Sequence, residues 1–303
     1  MTKLRRTLLG STVIWGTAIA AFSIVLVVLV VMGTIVVNGA GSLSLEFFTS
    51  PPTEGMTEGG IFPAIVGTAL LVIIMSIAGI PVGTITAIYL SEYANQRSVL
   101  ARSIRFAVNT LAGVPAIVFG LFGLGFFVQF VGAGLDQVFT GGAELQWAQP
   151  NILWASLTMA FLTLPVVIVS VEEAVKTVPQ DLRAASLALG ATKWQTIWNV
   201  VLPNSVTGIL TGGILAVSRG AGEVAPILFT GAAYFLPQLP TNLSDQFMEL
   251  GYHVYIMSTQ STNVEATRGI QYATTLVLLM LTFLLNFTAI FLRSRLRGRT
   301  VQA

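Results

Sequence analysis

Residues 61–90, IFPAIVGTALLVIIMSIAGIPVGTITAIYL, contain no Lys, Arg, Asp or Glu. An α-helix needs roughly 20 apolar residues to cross the hydrocarbon core of a bilayer. The stretch is longer than that, and the first charges on either side of it are Glu58 and Glu92. It therefore predicts a membrane-spanning helix.

Charge-free stretches of this length recur along the chain. Others lie between Arg6 and Glu46, Arg105 and Asp136, Glu144 and Glu172, and Arg268 and Arg293. One further apolar stretch, residues 206–230, holds two charges. Together these stretches predict an all-α membrane protein with six transmembrane helices. Residues 1–303 are expected to form a single transmembrane domain. The predicted spans are Val13–Val37, Ile61–Leu90, Phe106–Gly132, Ile152–Val175, Val206–Thr230 and Ile270–Leu292.

The composition agrees with a membrane protein and argues against other classes. The mean hydropathy is +0.82, and 54% of residues are apolar while 9% are charged, far outside the ordinary soluble range. The net charge of +2 comes from charges segregated by loop and not from a basic face, which disfavours a nucleic-acid partner. Cysteine is absent and His253 is the single histidine, so we expect no disulfide and no protein-ligated metal.

The distribution of loop charges predicts the topology. The N-terminus and residues 91–105, 172–204 and 293–303 carry 13 of the 15 Lys and Arg residues, whereas the opposite loops carry Arg268 and eight acids. Positive charge stays cytoplasmic during insertion, so both termini are expected in the cytoplasm. The apolar run after Arg6 is longer than the roughly 7–15 residues of a signal peptide, so we expect the first span to be retained.

The fifth span carries Arg219 and, one helical turn later, Glu223. Arg at the bilayer centre costs about 2.5–3.5 kcal/mol on insertion scales, and intramembrane charges are functional by default. The i,i+4 spacing predicts that the two side chains share one helix face and pair. Small residues nearby let a neighbouring helix approach closely; they are Gly208, Gly212, Ala216 and Gly220.

Two hypotheses explain this charged pair. In the first, Arg219 contacts a passing oxyanion and Glu223 keeps that contact from becoming a trap. In the second, the two residues form a structural ion pair that fixes the register of the helix. We favour the first, since charges inside a membrane usually serve a function. In that hypothesis Glu223 accepts a hydrogen bond from a protonated oxyanion such as phosphate and repels unprotonated sulfate.

Residues 178–203, VPQDLRAASLALGATKWQTIWNVVLP, predict a cytoplasmic loop of two short helices. Pro179 suits a first helical turn, and Asp181 in that turn complements the helix dipole. Gly190 suits the left-handed residue that ends a helix. The sequence therefore predicts a first helix that ends at this glycine.

The second short helix begins with a capping-box pattern, Thr192 followed by Gln195, and Pro203 is expected to end it. An amphipathic helical hairpin at the cytoplasmic surface needs a cover for its apolar side. The cover is either a partner protein or the lipid surface, and composition alone leaves both alternatives open.

The spacing from Gly190 to Pro203, GATKWQTIWNVVLP, resembles the EAA loop of ABC-importer permeases. In that family the loop forms a coupling helix that docks into a groove on the ATP-binding subunit. The family's Glu falls at Ala184 and its second Ala at Ser186, so the chain has AAS where EAA is usual. The resemblance implies a set of ATPase-coupling residues: Asp181, Arg183, Ala184, Ala185, Gly190, Ala191, Thr192 and Pro203.

Five stretches narrow the resemblance to the PstA-type membrane subunit of phosphate importers. They are GGIFPAIVGTALLV (59–72), PVGTITAIYLSEYA (81–94), LAGVPAIVFGLFG (111–123), VPQDLRAASLALGATKW (178–194) and SRGAGEVAPILFTGAA (218–233). The match covers spans two to five in the family's order. In that family the Arg and Glu of span five are associated with phosphate passage, and they match Arg219 and Glu223 here.

The resemblance implies a transport subunit rather than an enzyme, in the plasma (cytoplasmic or inner) membrane of a prokaryote. Its implied partners are a homologous PstC-type permease subunit, two ATP-binding subunits and an external phosphate-binding protein. ATP and Mg²⁺ would bind the partner ATPase, with no cofactor in this chain. The sequence agrees, since it has no GxxxxGK[ST] phosphate loop.

Other functions remain open as alternatives. Within the ABC permeases, the substrate could be another oxyanion such as molybdate, tungstate or sulfate. An ion-gradient secondary carrier would be expected to show inverted repeats, and it leaves residues 178–203 unexplained. An intramembrane enzyme would need a paired nucleophile and base at membrane depth, which one histidine, lying in an outer loop, does not provide. His253 is expected to be a solvated or packing residue.

Overall fold

The computed structural model of the chain describes residues 3–95, 97–261 and 263–300. Residues 1–2 and 301–303, the two termini predicted to be cytoplasmic, lie outside these described ranges, as do Gln96 and Thr262. Six helices among the described residues are long and apolar enough to cross a membrane, which confirms the all-α membrane class. They are Thr12–Ser42, Phe62–Tyr93, Ala116–Thr140, Ile152–Thr177, Lys193–Gly220 and Val264–Arg295.

The helices are numbered here in chain order. They are α1 (Lys3–Gly39), α2 (Leu45–Thr49), α3 (Phe62–Ile88), α4 (Val99–Leu111), α5 (Ala116–Gly123), α6 (Ala133–Thr140), α7 (Ile152–Thr177), α8 (Gln180–Ala188), α9 (Lys193–Thr196), α10 (Leu202–Gly220), α11 (Leu250–Thr259) and α12 (Val264–Thr300). Three π-helical segments continue α3, α5 and α9: Tyr89–Tyr93, Leu124–Gly132 and Ile197–Val201. Two 3₁₀ turns (Ala40–Ser42 and Glu54–Met56) and an antiparallel pair of short strands, β1 (Pro52–Thr53) and β2 (Glu58–Gly59), lie between α1 and α3.

The helix α7 forms the centre of the bundle. In the most apolar 18-residue stretch of α7, 67% of the residues are buried, whereas 6% are buried in the corresponding stretches of α1 and α12. Two other helices, α3 and α10, pack against α7 most extensively, because their glycines leave room. A Cβ at Gly83 of α3 would lie 2.6 Å from a methyl group of Val167, and one at Gly208 of α10 would lie 2.0 Å from the Cβ of Ala174. Glycines thus permit the close helix packing on which membrane bundles depend.

The predicted third span, Phe106–Gly132, is wrong in its boundaries. Leu111 ends the separate amphipathic helix α4, and the span itself runs from Ala116 to Thr140. Pro115 separates the two helices with an extended backbone, φ −59° and ψ 139°. Proline disfavours the helical conformation of the residue before it and cannot donate a backbone hydrogen bond, so the helix stops here.

The predicted fifth span, Val206–Thr230, begins and ends too late. A continuous helix runs from Lys193 to Gly220 through α9, a π-helical segment and α10. Pro203 therefore does not end the second short helix; it lies in the first turn of α10, directly after the π-helical segment Ile197–Val201. Residues 221–231 form irregular turns enclosed by protein, with Ile227 and Thr230 fully buried. Irregular backbone at membrane depth is tolerated only when buried in this way.

Residues 232–249, which follow the buried turns, are irregular and lead into α11. This segment is tied to the start of α7. The backbone N–H groups of Asn151 and Ile152 donate to the carbonyl oxygens of Thr230 and Asp245, each at 2.9 Å. Phe247 is fully buried in the core formed by α3 and α7. These contacts fold the segment over the ends of the two central helices.

Candidate functional site

Arg219 and Glu223 are brought together where α10 ends. Arg219 lies in the last turn of the helix, where the negative end of the helix dipole favours a cation. The helix ends at Gly220, so Glu223 reaches Arg219 from a turn and not from the continuous helix face that the spacing predicted. The Nε of Arg219 and the Oε1 of Glu223 lie 3.6 Å apart.

This ion pair is accessible from outside the packed core. The Arg219 side chain is 42% exposed and that of Glu223 is 27% exposed. A separation of 3.6 Å is longer than a direct hydrogen bond, and the described residues place no other carboxylate within 4.0 Å of the Arg219 guanidinium. The N–H groups of Arg219 are therefore available to a ligand.

Arg219 lines an open cavity of about 290 Å³. The opposite wall comes from residues 162–170, the middle of α7, and from residues 108–112, at the end of α4 and just after it. Most of this wall is apolar; Asn109 and Ser170 supply polar atoms. A cation that faces an apolar cavity beside the middle of α7 attracts an anion more strongly than it would in water, because the local dielectric constant is low.

The small residues of α10 fix the position of Arg219 against its neighbours. A Cβ at Gly212 would lie 3.0 Å from the Cβ of Ser170, and one at Gly220 would lie 2.5 Å from the Sδ of Met75. Ala216 is buried in the cluster around α7. The backbone of α10 therefore lies against α7 and α3 over several turns, and Arg219 extends from the end of this packed helix.

The segment predicted to couple to an ATPase forms a helical hairpin of α8 and α9. Gly190 has a φ of +85°, the left-handed conformation that glycine adopts without strain. The side-chain oxygen of Thr192 accepts from the backbone N–H of Gln195 at 3.3 Å, and the side chain of Gln195 accepts from the backbone N–H of Thr192 at 2.8 Å. The capping box predicted from the sequence is therefore present.

The hairpin presents a largely exposed surface. Asp181, Ala184 and Ala185 are exposed and Ala191 is half-buried. Leu189, next to the turn, is 89% exposed. Other large apolar side chains exposed on the hairpin are Leu182, Leu187, Trp194 and Trp198. The two tryptophan rings stack on each other with centroids 5.7 Å apart. The residues that the structure describes provide no cover for this patch.

Arg183 differs from the other predicted coupling residues, because it is buried. Its Nη2 donates to the carboxylate of Glu92 at 2.9 Å and to the carbonyl oxygen of Val175 at 2.8 Å, and its Nη1 donates to the carbonyl oxygen of Val178. The guanidinium thus joins α8 to the end of α3 and to the last turn of α7. Sequence reasoning missed this contact, which joins residues 91 positions apart.

A second buried carboxylate lies near the same end of α7. The carboxylate of Glu172 accepts from Arg105 of α4 and pairs with Lys176 at 2.8 Å. The i,i+4 spacing of Glu172 and Lys176 is evident from the sequence as a helical ion pair, whereas the contribution of Arg105 is not. The three side chains join α4 to α7.

Glu249 is a buried acid that sequence reasoning did not identify as important. Its carboxylate caps α11 by accepting from the backbone N–H groups of Gly251 at 2.9 Å and Tyr252 at 2.6 Å. Burial raises the pKa of Glu249 to about 7. Gly251 in turn lies against Val224, since a Cβ there would be 2.7 Å from a Val224 methyl group. The start of α11 therefore lies beside the turn that carries Glu223.

His253, one turn into α11, is buried, so of the two expected roles the structure favours packing. Burial lowers its pKa to about 4, which keeps the ring neutral, and its Nδ1 has no partner among the described residues. The part of the chain that the structure describes has no group of three His, Cys, Asp or Glu side chains placed to hold a metal ion.

Comparisons with known proteins agree with this architecture. The family model for the binding-protein-dependent transport system inner membrane component matches residues 79–300. A probable ABC transporter permease of Bacillus subtilis is 32% identical over 75% of this chain and 75% of its own length. The phosphate transport system permease protein PstA of Xylella fastidiosa is 32% identical over 75% of this chain and 73% of its own length.

A solved structure shares the fold. The bacterial ABC transporter involved in the import of the acidic polysaccharide alginate includes a chain that superposes with a TM-score of 0.66, covering 97% of this chain and 99% of that chain at 14% identity. Six apolar helices and this fold make the protein a multi-pass membrane protein. Since the family model covers most of its length, the chain belongs to the binding-protein-dependent transport system inner membrane components, which are permease subunits of ABC transporters.

Proposed function

We propose that the chain is the membrane permease subunit of an ATP-driven importer of inorganic phosphate. The observation that carries the proposal is an arginine, Arg219, level with the middle of α7, which faces a cavity and has only a loose carboxylate partner. The 32% identity to a PstA phosphate transport permease supports phosphate as the substrate.

In this proposal Arg219 binds the oxyanion as it passes the middle of the bilayer. Charge-assisted hydrogen bonds from a guanidinium to an oxyanion are strong and often bidentate. Glu223, 3.6 Å away, competes with the substrate for Arg219 and so keeps the anion from being trapped. Because phosphate retains a proton near neutral pH, Glu223 can accept a hydrogen bond from it, whereas sulfate has no proton to donate.

The energy source lies in partner proteins. The exposed apolar hairpin of α8 and α9 is the docking surface for an ATP-binding subunit, which carries the ATP and Mg²⁺. A PstC-type permease completes the pathway, two ATP-binding subunits drive it, and an external phosphate-binding protein delivers the substrate. This assembly lies in the cytoplasmic membrane of a prokaryote, and the chain itself catalyses no reaction.

The alternative functions differ in substrate or energy source. A permease for molybdate, tungstate or sulfate would keep the same helices and Arg219, with selectivity set by the external binding protein. A secondary carrier would run without an ATPase and is disfavoured by the family match over residues 79–300. Uptake of labelled phosphate in the presence of each competing oxyanion separates these substrates.

Uptake by proteoliposomes that hold the complete complex tests the proposal. Arg219→Ala should reduce ATP-dependent phosphate uptake by roughly 10- to 100-fold, because a hydrogen bond to a charged group contributes about 1.5–3 kcal/mol. Arg219→Lys should retain part of the activity, and Arg268→Ala, which changes an exposed arginine outside the cavity, should leave uptake unchanged. Size-exclusion chromatography checks that every variant assembles. Wild-type uptake by Arg219→Ala, or failure of both Arg219 variants to assemble, would overturn the proposal.

A further inference from the structure

A polar groove opens between α7 and α10 below Arg219. Its volume is about 410 Å³, and its polar lining consists of Ser170, Glu173, Thr177, Asn204, Ser205, Thr207 and Thr211. We call this space the exit groove. Thr177 is the last residue of α7 and Asn204 lies at the start of α10, so one end of the groove reaches the surface that the loop charges predict to be cytoplasmic.

The exit groove continues the cavity that holds Arg219. Ser170 lines both spaces, and Leu215, one helical turn before Arg219, lines the groove. Thr211 lies eight residues before Arg219 in the same helix, which corresponds to about 12 Å along the axis. An anion that leaves Arg219 therefore meets a polar wall leading toward the cytoplasmic end of the bundle.

A second arginine reaches this wall from the last helix. The Nη1 of Arg293, on α12, donates to the Oγ1 of Thr211 at 3.0 Å. Among the described residues, Thr211 accepts the hydrogen bond that Arg293 makes. No carboxylate in this part of the chain lies within 4.0 Å of the Arg293 guanidinium. The remaining N–H groups of Arg293 are thus available beside the groove.

Hydroxyl donors complete the arrangement. Most threonine and serine hydroxyls of this bundle donate to the backbone carbonyl one turn earlier, as Thr211 does to Thr207 at 2.7 Å. Within the described part of the chain, the hydroxyls of Ser170 and Thr207 make no hydrogen bond at all. A guanidinium and two unpaired hydroxyls together are the donor set that a tetrahedral oxyanion requires.

We propose that Arg293, with Ser170 and Thr207, forms a second anion-binding station in the exit groove, through which the substrate passes from Arg219 to the cytoplasm. This inference rests on the proposed function. Glu173, exposed at the cytoplasmic end of the groove, repels the departing anion and favours release over retention. With two cationic sites in series, an anion can pass from the hydrogen-bond donors of one site to those of the next. It does not have to dissociate from Arg219 in a single step.

Cysteine labelling tests the station independently of transport, because the chain has no cysteine of its own. Thr207→Cys would be introduced into the complete complex in inside-out vesicles and labelled with small water-soluble methanethiosulfonates, one anionic and one cationic. Each rate is normalised to that of free cysteine, and the complex without the introduced cysteine gives the background. Phe287→Cys, at a position 67% exposed on the apolar surface of α12, is the matched lipid-facing control.

The station predicts three results. Thr207→Cys should react much faster than Phe287→Cys. The anionic reagent should be favoured over the cationic one by about tenfold, since the guanidinium of Arg293, bonded to Thr211 one helical turn from Thr207, attracts the first reagent and repels the second. Arg293→Gln should abolish this preference while Arg293→Lys keeps it, and inorganic phosphate should slow the labelling.

Two outcomes overturn the station. Labelling of Thr207→Cys no faster than that of Phe287→Cys means that lipid or a partner subunit fills the groove. Fast labelling with equal rates for the two reagents means a water-filled groove without a bound anion. Arg219→Ala distinguishes these from failure of the proposed function: normal phosphate uptake with Arg219→Ala refutes the function, even where the charge preference in the groove persists.

Discussion

Replacing Arg183 should loosen the hairpin of α8 and α9, the proposed docking surface for an ATP-binding subunit. Its guanidinium donates to Glu92 through Nε at 3.2 Å and Nη2 at 2.9 Å, and to two carbonyl oxygens at the end of α7. The two charged side chains are only 10% and 13% exposed. Arg183→Met keeps most of the buried volume and removes all four hydrogen bonds, so Glu92 is left as an unpaired buried charge.

The expected magnitude follows from this burial. Removing one member of a buried ion pair destabilises the folded state by about 3–5 kcal/mol, whereas replacing both members by neutral groups costs far less. A change of 3 kcal/mol raises the equilibrium constant for local opening of α8 by more than about 100-fold. The double variant Arg183→Met with Glu92→Gln should recover most of that loss, because no charge remains buried without a partner.

Hydrogen exchange of the purified complex measures this opening. Amide protons of α8 should exchange at least about 100-fold faster in Arg183→Met than in wild type, while those in the middle of α7 should change little. Asp181→Asn, an exposed charge on the same helix, is the control and should leave exchange unchanged. The same complex should hydrolyse more ATP for each phosphate transported, because a loosened hairpin transmits less of the motion of the ATPase to α3 and α7.

Two results would refute this reasoning. Exchange of α8 in Arg183→Met equal to that in wild type would mean that the hairpin is held by its other contacts. Losses that simply add in the double variant would mean that Arg183 and Glu92 do not interact energetically.

Three further predictions concern other parts of the bundle. Glu223→Gln should weaken discrimination between phosphate and sulfate, measured as competition in the uptake assay, since a neutral side chain no longer repels sulfate; unchanged selectivity contradicts the role given to Glu223. Gly208→Ala should destabilise the bundle by about 1–3 kcal/mol through overpacking, because the added Cβ would lie 2.0 Å from a Cβ of α7, whereas Gly222→Ala meets nothing within 4 Å and should leave the thermal midpoint unchanged. Glu249→Gln should change the pH dependence of stability. The folded pKa of Glu249, about 7, exceeds its ordinary 4.5, so its contribution, about 3 kcal/mol, is present at low pH and lost as pH rises through this range. The folded pKa of His253, about 4, lies below its ordinary 6.5, so its contribution to stability is lost as pH falls through this range, opposite to that of Glu249. The thermal midpoint of wild type should therefore vary little between about pH 5 and 6.5, while that of Glu249→Gln rises; parallel curves would contradict the assignment.

The membrane class and number of spans could be predicted because charge is excluded from the hydrocarbon core. A gap of more than roughly 20 residues without a charge is a direct consequence of that exclusion. The same signal does not reveal what interrupts a span. Residues 221–231 are apolar and uncharged apart from Glu223, yet they form turns, because protein instead of lipid surrounds them. Hydropathy reports where a segment lies and not whether its backbone is helical.

Local signals at the hairpin predicted structure better than hydropathy did. Gly190 and the capping box of Thr192 act within a few residues, so their sequence pattern determines their geometry. Pro203 shows the limit of such signals. The same residue suits the first turn of a helix and the end of one, and only the continuity of α9 with α10 decides between them. Contacts such as those of Arg183 with Glu92 depend on tertiary packing and leave no local pattern.

The ion pairs of the bundle differ in a way that bears on function. At the end of the bundle that is predicted to be cytoplasmic, Glu92 and Glu172 each accept hydrogen bonds from arginines that also hold neighbouring helices. The Arg183–Glu92 bond is 2.9 Å long, and both of its side chains are nearly buried. Arg219 and Glu223 lie 3.6 Å apart and are 42% and 27% exposed. An ion pair that served only to fix the register of a helix would be expected to be short and buried, as the pair of Arg183 and Glu92 is. The looser pair of Arg219 and Glu223 has the geometry of a site that exchanges partners, which is what the proposed passage of an anion requires.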